Sequence, residues 1–314
     1  MKFSIVGAGA LGTIAGAHLI EGGHAVRMIA RGKRADYLRN NGLRVYGLRE
    51  FATPCEVAER LGADDDGVVI YAVKTYHMED ALADVGHVRP RAVLSFANGV
   101  LKNEQLAKSF SRNCVVGCMA NFSGELHPDG TVGFTRNICI HLGSNWLDCI
   151  DIVDAVHDSG LVTRHADSIE SVEWSKFVGW VALFSLSILT KATTGVFMSN
   201  QRLARVVATI VREAAAVARA RGIELIDQSP MPVKRIAGGS IDEAVRAVVE
   251  TGEEFLRNAS NHRMSSLQDF EAGRELEVHE TLGFIVREAE RLGVDADTSR
   301  NCYRIIADLN ELPR

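Results

Sequence analysis

Six residues near the start of the chain, Gly7-Ala8-Gly9-Ala10-Leu11-Gly12, have the spacing GxGxxG and follow directly on the apolar run Phe3-Ser4-Ile5-Val6. The glycines have separate uses: a tight turn at the first, backbone approach to a diphosphate at the second, close packing of a helix on a strand at the third. A helix starting there offers unpaired N–H groups and a partial positive charge to an anion. In isolation the pattern also describes an ordinary glycine-rich turn. Its place between a strand and a helix favours a dinucleotide site.

The choice of dinucleotide is usually made about 20 residues further on, where a carboxylate at the end of the second strand holds the ribose 2′-hydroxyl of NAD. Here that strand ends in Arg31-Gly32-Lys33-Arg34, with no carboxylate. A guanidinium binds a 2′-phosphate through two parallel hydrogen bonds, so NADP(H) is favoured over NAD; the plain alternative is a solvated surface loop. Lys74 and Asn98-Gly99 follow two further apolar runs, at the ligand-facing edge of an open parallel sheet. Lys74 is placed to reach phosphate or nicotinamide, and Asn98 the nicotinamide ribose or a substrate. Their plain readings are a strand-end charge and a turn.

These residues need a scaffold of βαβ units, and the first half of the chain supplies the pattern. Strands are expected over residues 2–7, 25–30, 67–73, 92–96 and 114–119, with helices over 11–21 and 77–85. Residues 124–142, with Pro128-Asp129-Gly130 at the turn, read as a hairpin closing the sheet. Beyond about residue 167 the pattern changes to helices over 169–192, 201–221, 241–250 and 275–292, two of them ended by Gly222 and Gly293. Residues 227–240, with Pro230, Pro232 and Gly238-Gly239, read as a loop. The expectation is an α/β protein: an N-terminal Rossmann-type parallel sheet over residues 1–167 and an all-helical substrate and catalytic domain over 168–314.

Composition narrows the partners. The net charge of -5 argues against nucleic acid, which demands a basic surface. The cysteines Cys55, Cys114, Cys118, Cys139, Cys149 and Cys302 lack the spacing of a zinc site or a disulfide framework, and neither His279-Glu280 nor His77-Met78-Glu79 has the HExxH spacing, so no metal is expected. The apolar run 177–189 is far shorter than the roughly 20 residues that cross a bilayer and reads as a buried helix, so no membrane partner is expected. The chain opens on a strand without the features of a secretory leader, and a cytoplasmic location is expected. The helical half could support a homodimer, although no single stripe of residues marks one.

The chain resembles the ketopantoate reductases, or 2-dehydropantoate 2-reductases. The motifs that carry the resemblance are Gly7–Gly12, Ala72-Val73-Lys74, Ala97-Asn98-Gly99-Val100, Glu173-Trp174-Ser175-Lys176, and residues 210–222 and 265–278. The resemblance implies hydride transfer from NADPH to the keto carbon of a 2-oxo acid, in a cleft between two domains. It makes Lys176 the catalytic lysine, Glu277 the glutamate that serves that lysine and the cofactor, Ser265 a ligand of the substrate carboxylate, and Asn98 a residue serving both substrate and cofactor. The chemistry is coherent: as hydride arrives, charge grows on oxygen, and a positioned ammonium stabilises it and then supplies the proton. Plainer roles exist for each: Lys176 snorkelling at the end of a buried helix, Ser265 in a capping box, Glu277 facing the dipole of a helix beginning near Glu275.

The pattern departs from the family at the substrate. Asparagines usual one and two turns after the lysine are here Trp180 and Phe184, and Thr194-Gly195 stands where Asn-Gly is common. Aromatic rings in place of amides suit an acyl group bulkier and more apolar than that of ketopantoate. The rival readings are an imine-reducing dehydrogenase of the same architecture and a non-catalytic NADP(H)-binding regulator.

Overall fold

The computed structural model describes residues 1–227 and 231–312. The chain forms two compact units, one of Met1–Asn98 and Lys102–Ile169, the other of Gly99–Leu101 and Glu170–Arg314.

The first unit contains strands β1 (Lys2–Val6), β2 (Ala25–Ile29), β3 (Leu43–Gly47), β4 (Phe51–Thr53), β5 (Glu56–Ala58), β6 (Val68–Tyr71), β7 (Ala92–Ser95), β8 (Gly117–Leu126), β9 (Val132–Gly143) and β10 (Thr163–His165). Its helices are α1 (Ala10–Glu21), α2 (Gly32–Asn41), α3 (Met78–Leu82), α4 (Leu101–Ser109, begun in the excursion into the second unit) and α5 (Ile150–Asp158). One sheet is wholly parallel in the order β5-β2-β1-β6-β7. β6 and β7 are buried along their whole length and β1 at all but Lys2, as expected where helices or a second layer cover both faces. Successive connections from β1 lead to β2 on one side and β6 on the other, so the strand order reverses beside Gly7, where such sheets bind ligands.

The expected hairpin forms, but it does not close this sheet. β8 and β9 pair antiparallel within a second sheet of order β10-β9-β3-β4, and of residues 114–119 only Val115 bridges the first sheet, at Val93. The cause lies in α1, whose residues from Gly12 to Leu19 are all buried. A helix apolar on every side needs cover on every side. A Cβ at Gly16 would meet Met28 and Ile5 of the first sheet and Leu43 of the second, and one at Gly124 of β8 would strike Ile14.

The second unit is helical: α6 (Ile169–Thr190), α7 (Thr194–Ser199), α8 (Gln201–Ala220), α9 (Val233–Ala237), α10 (Ile241–Asn258), α11 (Ser265–Glu271), α12 (Leu282–Leu292) and α13 (Asp297–Glu311). α6 is long and apolar enough to cross a bilayer by composition alone, but 89% of its most apolar window is buried, so it is the core helix of this unit. Gly222 and Gly293 take the left-handed conformation at the ends of α8 and α12.

Two expectations are corrected here. Residues 275–281 are not the first turns of a helix, which starts at Leu282; Asn310 accepts from the Leu276 amide and the Thr281 hydroxyl donates to the Glu277 carbonyl, holding the segment as turns. Residues 227–240 are not all loop, because α9 forms with Asp227 accepting from the amides of Lys234 and Arg235 and Arg212 donating to carbonyls of residues 236–239. Of that stretch, residues 228–230, including Pro230, lie outside the described residues.

Candidate active site

The glycine turn has the geometry its spacing suggested. Gly7 takes φ +100°, and a Cβ there would lie 2.7 Å from Val73 Cγ1. At Gly12 a Cβ would run into the Gly7 carbonyl oxygen, so a larger residue would push α1 off the turn. Gly9 differs: nothing lies within 4 Å of its Cβ position, which leaves open space over the backbone at the start of α1. Gly9 is the N-cap and lends no side chain, and the first amide hydrogen bond into the helix is from Thr13 to its carbonyl. The amides of Ala10, Leu11 and Gly12 thus precede the helical hydrogen-bond ladder, as donors at a helix start do. The cradle fits a diphosphate.

The three cations after β2 divide. Arg31 is the N-cap of α2 and exposed; among the described residues its Nε alone is engaged, on the Glu59 carbonyl at 3.3 Å. Lys33 is exposed as well. Arg34 turns inward: Nε donates to the Ala8 carbonyl at 2.7 Å, one terminal nitrogen to the Gly130 carbonyl at 2.7 Å, and the other to Thr13 Oγ1 at 2.8 Å. It is therefore no part of a cation cluster offered to a 2′-phosphate, and sequence spacing could not separate it from Arg31. Lys74 is half-buried and begins the short 3-10 turn Thr75–His77; Asn98 is half-buried just beyond β7, before Gly99 at φ +80°.

In the helical unit, Lys176, Trp180 and Phe184 recur every fourth residue of α6 and share one face. Lys176 and Trp180 are half-buried, whereas Phe184 is only 1% exposed. The Trp180 and Phe184 rings lie 5.0 Å apart at 34°. Phe184 thus backs Trp180 from within the core and does not itself present a surface to a substrate. Behind Lys176, Trp174, Phe177 and Phe284 pack at 5.8–6.2 Å, and the Arg221 guanidinium lies over Trp174 and Phe284 while bonding Glu288 at 2.5 Å. Hydrogen bonds from Arg291 and Arg221 hold the Glu288 carboxyl below the usual range.

Ser265 is the exposed first residue of α11; the N-cap is Met264, so the capping-box role does not apply. Its neighbour Ser266 is buried and meets Ser187 of α6 at 3.3 Å, while Ser187 donates to the Phe184 carbonyl, which ties α11 to the helix of Lys176. Thr194 is fully buried: its hydroxyl meets His262 Nδ1 at 2.8 Å and its amide donates to the His262 carbonyl. That removes Thr194 from direct contact with a substrate and makes it an anchor for the segment leading to Ser265. Glu277 is 5% exposed and lies in the turns before α12, which begins at Leu282. Its neighbourhood and that of Lys176 converge at Gly99, whose Cβ position lies 3.6 Å from Thr281 Cγ2 and 3.7 Å from Phe177 Cε2. The sequence carried no signal for Arg221, Glu288, Ser187 or His262, because each acts through partners distant in the chain.

Comparison with known proteins covers almost all of this architecture. The family described as ketopantoate reductase PanE/ApbA matches residues 3–145, and its C-terminal counterpart, ketopantoate reductase PanE/ApbA C terminal, matches residues 168–310. The 2-dehydropantoate 2-reductase of Archaeoglobus fulgidus is 26% identical over 311 residues, covering 97% of this chain and 96% of its own. A ketoisovalerate reductase of Beauveria bassiana is 29% identical over 163 residues, 44% of this chain and 35% of its own. Among solved structures, D-mandelate dehydrogenase in complex with NADH has the same fold, with a TM-score of 0.83 at 20% identity over 100% of both chains.

Proposed function

The chain belongs to the ketopantoate reductase PanE/ApbA family of oxidoreductases, and on that premise we propose that it uses NADPH to reduce a 2-oxo acid whose side chain is bulkier or more apolar than that of ketopantoate. The observation that carries this reading is the shared face of α6, with Lys176 at one position and the Trp180 ring, backed by Phe184, one turn further on.

A bound nicotinamide cofactor supplies the hydride. The structurally similar D-mandelate dehydrogenase holds NADH, which supports a dinucleotide at the glycine turn. The phosphorylated form is favoured by Arg31, exposed at the end of β2 with two terminal nitrogens left for a 2′-phosphate. Gly9 and the first amides of α1 hold the diphosphate, while Lys74 and Asn98 serve the nicotinamide end.

The Lys176 ammonium donates a hydrogen bond to the keto oxygen. As C2 gains the hydride, the carbonyl π pair moves onto that oxygen, which takes a proton from Nζ; solvent then returns a proton to the amine. Glu277, buried in the turns before α12, orients the lysine. The exposed Ser265 hydroxyl donates to the substrate carboxylate, and Trp180 packs on its side chain. Ketoisovalerate and mandelate, named in two of the related proteins, are branched and aromatic acids of the kind such a surface suits. The test is NADPH oxidation against a panel of 2-oxo acids: a preference for branched or aromatic members supports the reading, and a preference for ketopantoate overturns the substrate part of it.

A further inference from the structure

Two stretches of unit one far apart in sequence meet on one guanidinium: the glycine turn, through Ala8 within it and Thr13 just after it, and Gly130 at the tip of the β8–β9 hairpin. Arg34 is half-buried there, with its guanidinium 5.0 Å over the Tyr37 ring, and the same ring occupies the space a Cβ at Gly130 would need. The Ala8 carbonyl accepts twice, from Arg34 Nε at 2.7 Å and from Thr13 Oγ1 at 3.2 Å. Two donors on one carbonyl fix the plane of the peptide that joins Ala8 to Gly9. In a trans peptide the C=O and N–H point in opposite directions. Holding the Ala8 oxygen toward Arg34 therefore aims the Gly9 N–H away from that guanidinium, and Gly9 itself carries no side chain to shield it, with nothing within 4 Å of its Cβ position.

We propose that Arg34 is a positioning residue for cofactor binding: acting through the Ala8–Gly9 peptide, it presents the Gly9 N–H to the diphosphate of the dinucleotide, and it does not contact the 2′-phosphate. The proposal rests on the dinucleotide reading above. It separates two arginines three residues apart, Arg31 sensing the phosphorylated ribose and Arg34 setting the diphosphate cradle for either dinucleotide.

The test compares ligands with and without the diphosphate on folded protein, with unfolding temperature measured alongside. For Arg34→Ala the dissociation constants of NADPH, NADH and ADP-ribose each weaken about tenfold, in the range expected when a charged hydrogen-bond donor is lost. Adenosine 2′-monophosphate, which lacks the diphosphate, binds as to the wild type, and the NADPH-to-NADH ratio is unchanged. Unchanged ADP-ribose binding overturns the proposal. So does a loss confined to NADPH and adenosine 2′-monophosphate, which would make Arg34 a 2′-phosphate ligand. Should Arg34→Ala not fold, Thr13→Val keeps the shape while removing one donor to Ala8 and one acceptor of Arg34; it weakens ADP-ribose by a few-fold, and no change overturns the proposal. A wild type that binds no dinucleotide defeats the cofactor reading itself, whereas binding indifferent to Arg34 defeats only this inference.

Discussion

Trp180 and Phe184 lie one helical turn apart on α6 with their rings 5.0 Å from each other, one half-buried and the other enclosed in the core. This division of labour predicts opposite mutational signatures. Trp180→Ala folds normally but raises KM for branched and aromatic 2-oxo acids by about tenfold, the scale of a lost aromatic contact. Phe184→Ala lowers stability by about 3–5 kcal/mol in denaturant unfolding, as for other buried phenylalanines. Equal stability losses for the two variants, with substrate preference intact in both, would contradict the assignment.

Arg31 is the exposed guanidinium just after β2, and Arg31→Ala is expected to weaken NADPH by about tenfold or more while sparing NADH. Titration with both cofactors measures the ratio. A parallel loss of the two, or no loss of NADPH, would remove the 2′-phosphate role.

His18 links stability to pH. It is fully buried on α1, its Nδ1 donates to the Ser159 carbonyl at 2.8 Å, and Nε2 has no partner. Burial pushes its pKa below the ordinary value, and Arg49 adds to that. The unfolded chain thus binds the proton first, so stability is complete above about pH 6.5 and falls as the pH drops toward the lowered folded value. Urea unfolding at about pH 7.5 and about pH 5 should show the loss, and His18→Phe, which puts a non-titrating ring where His18 meets Phe51 and Phe134 edge to face, should reduce it. An equal pH dependence in the variant would exonerate His18.

Arg221 and Glu288 brace the aromatic group behind Lys176. Arg221→Ala should cost about 1–3 kcal/mol by stranding a mostly buried carboxylate, although Arg291 still bonds it. Unchanged unfolding free energy would show that the brace carries no load.

What the sequence revealed follows from the range of the interactions involved. The glycine turn was legible because a buried strand, three glycines and a helix start are consecutive, and Lys176, Trp180 and Phe184 because helical periodicity is local. The second sheet was not, since β3 is short and finds its partner in β9 through the register Val45↔Val132. The turns around Glu277 resembled a helix because Leu276, Val278, Leu282 and Ile285 are apolar at near-helical spacing, while the groups that hold them otherwise, Asn310 above all, come from elsewhere in the chain. Arg31 and Arg34 look alike in sequence; only the folded hairpin tip at Gly130 draws one of them inward.

In the proposed mechanism Lys176 protonates the reduced keto oxygen of a bulky 2-oxo acid. Its most direct test is the rate of NADPH oxidation with branched, aromatic and hydroxylated 2-oxo acids, for the wild type beside Lys176→Ala. The expected result is highest kcat/KM with the branched or aromatic acids and a fall of about 10²–10⁴-fold in kcat for Lys176→Ala, with cofactor affinity retained. Full turnover by Lys176→Ala, or efficient reduction of ketopantoate with indifference to the larger acids, would contradict it.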